Sequence, residues 1–125
     1  MLTLFSVALG GAIGAVLRFL ITKIPGLTGY AIPWMTLTAN LIGALIIGFI
    51  AGSVVSQARL SPNQMAFLKT GFCGGLTTFS TFSLESFELI QHGKYGMACI
   101  YAILSVFLCL IGVMLGRAIA VRTFA

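Results

Sequence analysis

The sequence predicts an all-α membrane protein, a single domain over residues 1–125, with four transmembrane helices of which the third is broken in its middle. Three observations carry this expectation. Of 125 residues, 59% are hydrophobic and 7% charged, and the mean hydropathy is +1.12. A soluble domain this small has too much surface to cover with so few charges. The apolar residues fall in four long runs separated by short polar turns, as bilayer crossing requires. The third run is interrupted by adjacent glycines and a row of hydroxyls.

The first span is read from about Thr3 to Lys23. Met1 to Leu17 contains no Lys or Arg, and Arg18 stands where a cleavage region would need small neutral residues, so the segment reads as a retained span and not a signal peptide. Gly10 and Gly14 form a GxxxG pair that lets another helix approach closely. Pro25, Gly26 and Gly29 mark a loop. The second span is read from about Ile32 to Ser56, with Asn40 and Gly43 near its start and Gly48xxxGly52 later. After the polar turn Gln57 to Asn63, Ser61 reads as a helix cap and Pro62 as the first helical position. The third span runs to about Gln91. Its centre reads Gly71-Phe-Cys-Gly-Gly-Leu-Thr-Thr-Phe-Ser-Thr-Phe-Ser83. Glycine costs about 1 kcal/mol of helix propensity relative to alanine, so a helix break is expected over Gly74 to Thr78. His92, Gly93 and Lys94 make a turn, the fourth span runs from about Tyr95 to Ala120, and Val121 to Ala125 form a short tail.

The net charge is +5, but the seven basic residues are spread singly between apolar runs. No basic patch can follow a phosphate backbone, which argues against nucleic acid. Cys73, Cys99 and Cys109 lie in apolar stretches without metal-binding spacing and read as small buried hydrophobes. With His92 in a turn, no catalytic constellation is present, and the chain is not expected to be an enzyme. An even number of spans puts Arg59, Arg117, Arg122 and Lys69 on one side, and Lys23, Lys94 and Arg18 on the other. So near a tie predicts weak orientation, and a chain inserted both ways can pair with a second copy in antiparallel fashion.

Polar groups at membrane depth are unfavourable and point to function. The Asn40 amide offers two donors and one acceptor, for an interhelical hydrogen bond or for a pore. Tyr101 and Ser105, four apart, share a helix face, although a membrane serine commonly bonds its own backbone. Phe79 and Phe82 lie on one side of the third span, and aromatic ring edges are positive. Ser80, Thr81 and Ser83 supply hydroxyls nearby. Unwound carbonyls at the break need a partner in the membrane, either a monovalent cation or a second copy of the same break. Arg18 either snorkels to the interface or draws anions into a vestibule. Glu85 and Glu88 read as groups at the membrane boundary, with Glu85 a candidate to pair with a base.

The third-span stretch from Gly71 to Phe82 matches the pattern GxxGGxTTFSTF and resembles the signature of the Fluc/CrcB fluoride channels. Gly10-Gly11-Ala12-Ile13-Gly14-Ala15 with Arg18-Phe19 is similar to that family's opening motif. Thr36-Leu37-Thr38-Ala39-Asn40-Leu41-Ile42-Gly43 is similar to its second-span motif. Phe19, Met35 and Ala39 depart from the residues usual in the family at supporting positions. The resemblance implies an antiparallel dual-topology homodimer in the inner or plasma membrane, with two pores that let fluoride leave the cytoplasm passively. It implies pore-lining Asn40, Phe79, Ser80, Thr81, Phe82, Tyr101 and Ser105, with Arg18 in the vestibule. It also implies a structural sodium ion held by backbone carbonyls of Gly74 and Thr77. Two rivals stand beside it. A small proton-coupled multidrug exporter needs a membrane-embedded acid, and the first span has none. A non-catalytic assembly subunit would need neither Asn40 nor the hydroxyl row.

Overall fold

The computed structural model describes residues 1–27, 29, 31–55 and 60–124. The order is α1 (Leu2–Ile21), a 3-10 turn (Pro25–Leu27), α2 (Trp34–Val55), α3 (62–76), α4 (Phe79–Gln91) and α5 (Tyr95–Phe124). Three of these, α1, α2 and α5, are long and apolar enough to cross a bilayer. The third span is made of α3 and α4, with only Thr77 and Thr78 between them. Arg59 and the turn residues 57–59 of the sequence reading lie outside the described residues.

The expected start of the third span is present in full. The Ser61 hydroxyl accepts from the Gln64 backbone N–H, and the Gln64 side chain accepts from the Ser61 N–H. This reciprocal pair satisfies two of the donors that every helix start leaves over. The start is tied to α1 by the Thr3 hydroxyl, which donates to Asn63 Oδ1 at 2.8 Å. Beyond Met65, the stretch Ala66–Cys73 winds as a π-helix before Gly74–Leu76 return to α geometry. The sequence carried no expectation of π winding.

Two pairs of helices hold the chain together, and both close over glycine. At Gly10 and Gly14 of α1, a Cβ would collide with the backbone of Phe67, Phe72 and Leu76. On the facing helix, a Cβ at Gly71 or Gly75 would collide with the backbone of Val7, Gly10, Gly11 or Ala15. Likewise Gly48 and Gly52 of α2 meet the backbone of Val113 and Arg117, while Gly116 of α5 meets Leu45 and Phe49. Lipid is as apolar as leucine, so membrane helices gain by close packing and not by hiding apolar surface. The Gly10/Gly14 and Gly48/Gly52 pairs therefore do what their spacing suggested; their partners Gly71, Gly75 and Gly116 were not anticipated.

This corrects the expected break. Gly74 is helical (φ −65°, ψ −35°), and Gly74–Leu76 complete α3. The interruption is confined to Thr77 (φ −82°, ψ 155°) and Thr78 (φ −150°, ψ 116°), both extended. Glycine's low helix propensity was the wrong reason: Gly75 is there for contact with α1. A second correction concerns α5, which continues to Phe124 and absorbs most of the expected tail.

The small core contains Leu37, Leu89, Ala98 and the fully buried Tyr101, with Trp34, Phe82, Met97 and Leu104 against it. Large apolar side chains such as Leu4, Phe5, Val16, Ile103, Phe107 and Met114 point outward. That inversion suits hydrocarbon as solvent. Of the cysteines, Cys73 is buried and Cys109 half-buried, but Cys99 is exposed on the outer face, against the expectation that all three are buried.

Candidate functional site: a polar break beside an aromatic-lined cavity

A continuous helix would bond the Thr78 N–H to the Gly74 carbonyl. Here that N–H donates to Asn40 Oδ1 at 2.7 Å, and Asn40 Nδ2 donates to the Thr78 carbonyl at 3.2 Å. One side-chain amide thus pairs with both polar groups of the extended residue, as a neighbouring strand would. The next orphan is the Gly75 carbonyl, which accepts from Arg18 Nε at 3.1 Å. The Thr77 N–H and hydroxyl both go back to the Cys73 carbonyl at 2.9 Å. Thr78 then caps α4: its hydroxyl oxygen accepts from the Thr81 N–H at 3.2 Å. In a medium without water each unpaired group would cost about 2–7 kcal/mol on transfer scales. The break is stable because three side chains, Asn40, Arg18 and Thr78, take over the lost helical bonds.

Against this break lies an open-sided cavity of about 440 Å³. Its walls include Asn40 of α2, Thr77 and Thr78 of the break, Phe79 and Phe82 of α4, and Ser105 of α5. The Phe79 and Phe82 rings are 5.5 Å apart, tilted by 42°, and Phe82 lies 5.2 Å from Tyr101. Phe79 is 78% exposed, its ring held by little else than Phe82. Ser6, Ser53, Ser83 and Ser86 each return their hydroxyl to the carbonyl four residues earlier. Ser105 does not: its buried Oγ has no partner among the described residues. A buried orphan hydroxyl on a cavity wall is a group held ready for a ligand or water.

The remaining expected residues fall around this centre. Tyr101 lies behind Phe82 and donates its hydroxyl to Glu85 Oε2 at 2.7 Å. The other oxygen of that carboxylate, Oε1, accepts from Thr36 at 2.7 Å. Glu85 is therefore bound by hydroxyls of α2 and α5 instead of by a basic group. Glu85 also borders a second cavity of about 190 Å³ with Glu88, His92 and Lys94. Thr81 joins the Thr78 cap, its hydroxyl oxygen accepting at 3.0 Å, and Ser80 is exposed, 3.3 Å from the same hydroxyl. Neither borders the larger cavity, and nor does Arg18. Sequence reasoning missed Thr36, and it read Glu85 as a boundary group and not as the acceptor of two hydroxyls. The available signal for Thr36 was the carboxylate of Glu85 inside the span, with no Lys or Arg between Lys69 and Lys94 to pair with it. Among the described residues, no His/Cys/Asp/Glu cluster suited to a metal ion is present.

These features define a class: an all-helical, multi-pass membrane protein whose polar machinery gathers around a discontinuous span, the arrangement in which membrane proteins handle ions. The chain belongs to the CrcB family, whose profile, described as CrcB-like protein, Camphor Resistance (CrcB), matches residues 5–117. A protein of Geobacter sulfurreducens named fluoride-specific ion channel FluC is 41% identical over 117 residues, which cover 93% of this chain and 94% of that one. Relatives of the same name from Aquifex aeolicus and Methanococcus maripaludis are 42% identical over 120 residues and 46% identical over 111. The matches cover 92% and 89% of this chain, and 97% and 89% of the relatives. The family is one of ion channels and not of enzymes, and its members reside in the cell membrane.

Proposed function

We propose that this protein is a fluoride-selective channel through which fluoride leaves the cytoplasm passively. The observation that carries the proposal is the convergence of Asn40, Thr77, Thr78, Phe79, Phe82 and the unpartnered Ser105 hydroxyl on one cavity at the helix break. Fluoride is small and strongly hydrated, so passage needs donors that replace its water. Amide and hydroxyl hydrogens and the positive edges of phenylalanine rings supply them along one wall. The Asn40 amide, with one Nδ2 hydrogen on Thr78, has a second to offer. Ser80 and Thr81 add hydroxyls one turn away. The line from Phe82 through Tyr101 to Glu85 leads toward the second cavity and gives the pathway its continuation. Arg18 holds the break from the side of α1, through the Gly75 carbonyl.

The conducting unit in this reading is an antiparallel dual-topology homodimer with two pores. The near balance of basic residues between the two sides supports it. So does the cavity's position on the outer face of a single chain, where a second copy would close it. The resident sodium ion of this reading would lie at the dimer centre. Gly74 and Thr77 fit the role of its ligands. The Gly74 carbonyl loses its helical N–H partner to Asn40, and extended Thr77 turns its own carbonyl out of the helical ladder. Such unwound carbonyls are hard oxygen ligands suited to a monovalent cation. A bound cation would offset the partial negative charge of the Gly74 and Thr77 carbonyls.

A proton-coupled exporter is disfavoured, because the only acids are Glu85 and Glu88 and α1 contains none. Glu85 is also already engaged by two hydroxyls. The test is fluoride efflux from proteoliposomes of the purified protein, without a proton gradient. Fluoride should pass and chloride should not, and replacing all sodium should reduce the flux. Equal passage of both halides would sink the selectivity claim, and proton-coupled efflux of a lipophilic cation would favour the exporter.

A further inference from the structure

We propose that Lys69 is the anion-gathering charge at one mouth of the pathway, raising the local fluoride concentration ahead of the narrow passage; this rests on the fluoride-channel reading above. Lys69, Cys73 and Thr77 are four residues apart in turn, and all three border the larger cavity, so they form a row leading down α3 to the break. Lys69 is an exposed residue within the π-wound stretch, seven residues past Pro62. That places it about 10 Å along the helix from its start. At this depth a lysine facing lipid would have to stretch to the interface; an open cavity removes that need.

Among the described residues, no acidic side chain pairs with it. The only acids, Glu85 and Glu88, lie on α4, beyond the break from Lys69. Both Glu85 oxygens accept hydroxyl bonds, and Glu88 borders the second cavity with His92 and Lys94. Arg18, the residue expected in the vestibule, spends its Nε hydrogen on the Gly75 carbonyl and does not border the cavity. Arg117 and Arg122 lie near the end of α5. The contact of Gly52 with Arg117 and Ala120 puts them at the same end as the close of α2, and so as the start of α3, but outside the cavity. Among the described residues, the cation on the wall of the larger cavity is therefore Lys69. A single-signed charge in a cleft with low-dielectric walls concentrates counter-ions, an effect that salt screens.

The experiment compares initial fluoride efflux from proteoliposomes of the wild type, Lys69→Met, Lys69→Arg and Arg122→Gln. Ionic strengths of about 0.01 M and about 1 M give screening lengths of about 30 Å and about 3 Å, well above and below the width of the cavity. Lys69→Met should lower efflux by about three- to tenfold at low salt and by less than about twofold at high salt. Lys69→Arg should stay near the wild type, and Arg122→Gln should fall by less than about twofold at either salt. Fluoride-over-chloride selectivity should not change in any of them. Wild-type efflux from Lys69→Met at low salt, a loss that salt leaves untouched, or an equal loss in Arg122→Gln would each overturn the proposal. Lys69→Cys supplies a readout that does not depend on what the channel carries. A charged, membrane-impermeant thiol reagent present on both faces of the vesicles should label it well above the wild type's three native cysteines. No added labelling would exclude an aqueous mouth at Lys69. Labelling of Lys69→Cys together with a wild type that passes no fluoride would instead sink the fluoride reading while leaving the charged mouth in place.

Discussion

Replacing Asn40 by alanine strips both polar groups of Thr78 of their partner. The lost bonds are the 2.7 Å acceptance from the Thr78 N–H and the 3.2 Å donation to its carbonyl. Interhelical hydrogen bonds in membranes are worth about 0.6 kcal/mol on average and at most about 1.7, because the denatured state finds substitutes. Thr78 has few substitutes, since its extended backbone cannot return to the Gly74 carbonyl without remaking the helix. Leaving a buried donor or acceptor unsatisfied costs about 1–3 kcal/mol. Two such groups, discounted for water entering from the adjacent cavity, give about 2–3 kcal/mol. Reversible unfolding in mixed micelles can measure this. The single tryptophan, Trp34, sits against the core at the start of α2 and serves as the reporter. A loss below about 0.5 kcal/mol would refute the reasoning that Asn40 sustains the break. Loss of fluoride flux with stability intact would instead leave Asn40 as a pore donor only.

Four further outcomes are expected. Gly14→Ala puts a Cβ into the Phe72 carbonyl and the Leu76 N–H, so overpacking should cost about 1–3 kcal/mol in the same unfolding assay, whereas Gly26→Ala, with nothing within 4 Å, should be near neutral. Phe82→Ile breaks contact with Phe79 and Tyr101 and should cost about 1–2 kcal/mol. Phe79→Ile, at a largely exposed ring, should cost under about 0.5 kcal/mol, while both should lower fluoride flux; unchanged flux in both would favour an assembly role. In a double-mutant cycle, Thr36→Val and Tyr101→Phe should couple by more than about 0.5 kcal/mol through their shared carboxylate, Glu85; strict additivity would mean that the two hydroxyls act independently.

The contrast between Gly75 and Thr78 shows how far sequence reasoning reaches. Both were marked as sites of a break, on composition. Whether a glycine unwinds a helix or lets a neighbour in depends on what lies across from it. Only the packed chain reveals α1 at Gly75, with Gly11 backbone in contact. Thr78 is extended because Asn40, 38 residues earlier, offers its peptide an alternative partner. A one-dimensional pattern contains the amide and the break but not their meeting. Ser105 is similar. Its position four residues from Tyr101 was legible, yet a serine that keeps its hydroxyl off its own helix is recognised only among serines that do not.

What the amino-acid order settles unaided is the solvent and the local geometry. Apolar run length decides that hydrocarbon surrounds the helices, because no other medium accepts so many outward-facing leucines and phenylalanines. Short-range bonds decide the Ser61 cap and the turn at Gly93, whose φ of +70° suits glycine. What only tertiary structure decides is which polar groups find partners. In hydrocarbon every backbone donor and acceptor must be matched within the protein, and those matches join residues far apart in sequence: Asn40 to Thr78, Arg18 to Gly75, and Thr36 and Tyr101 to Glu85.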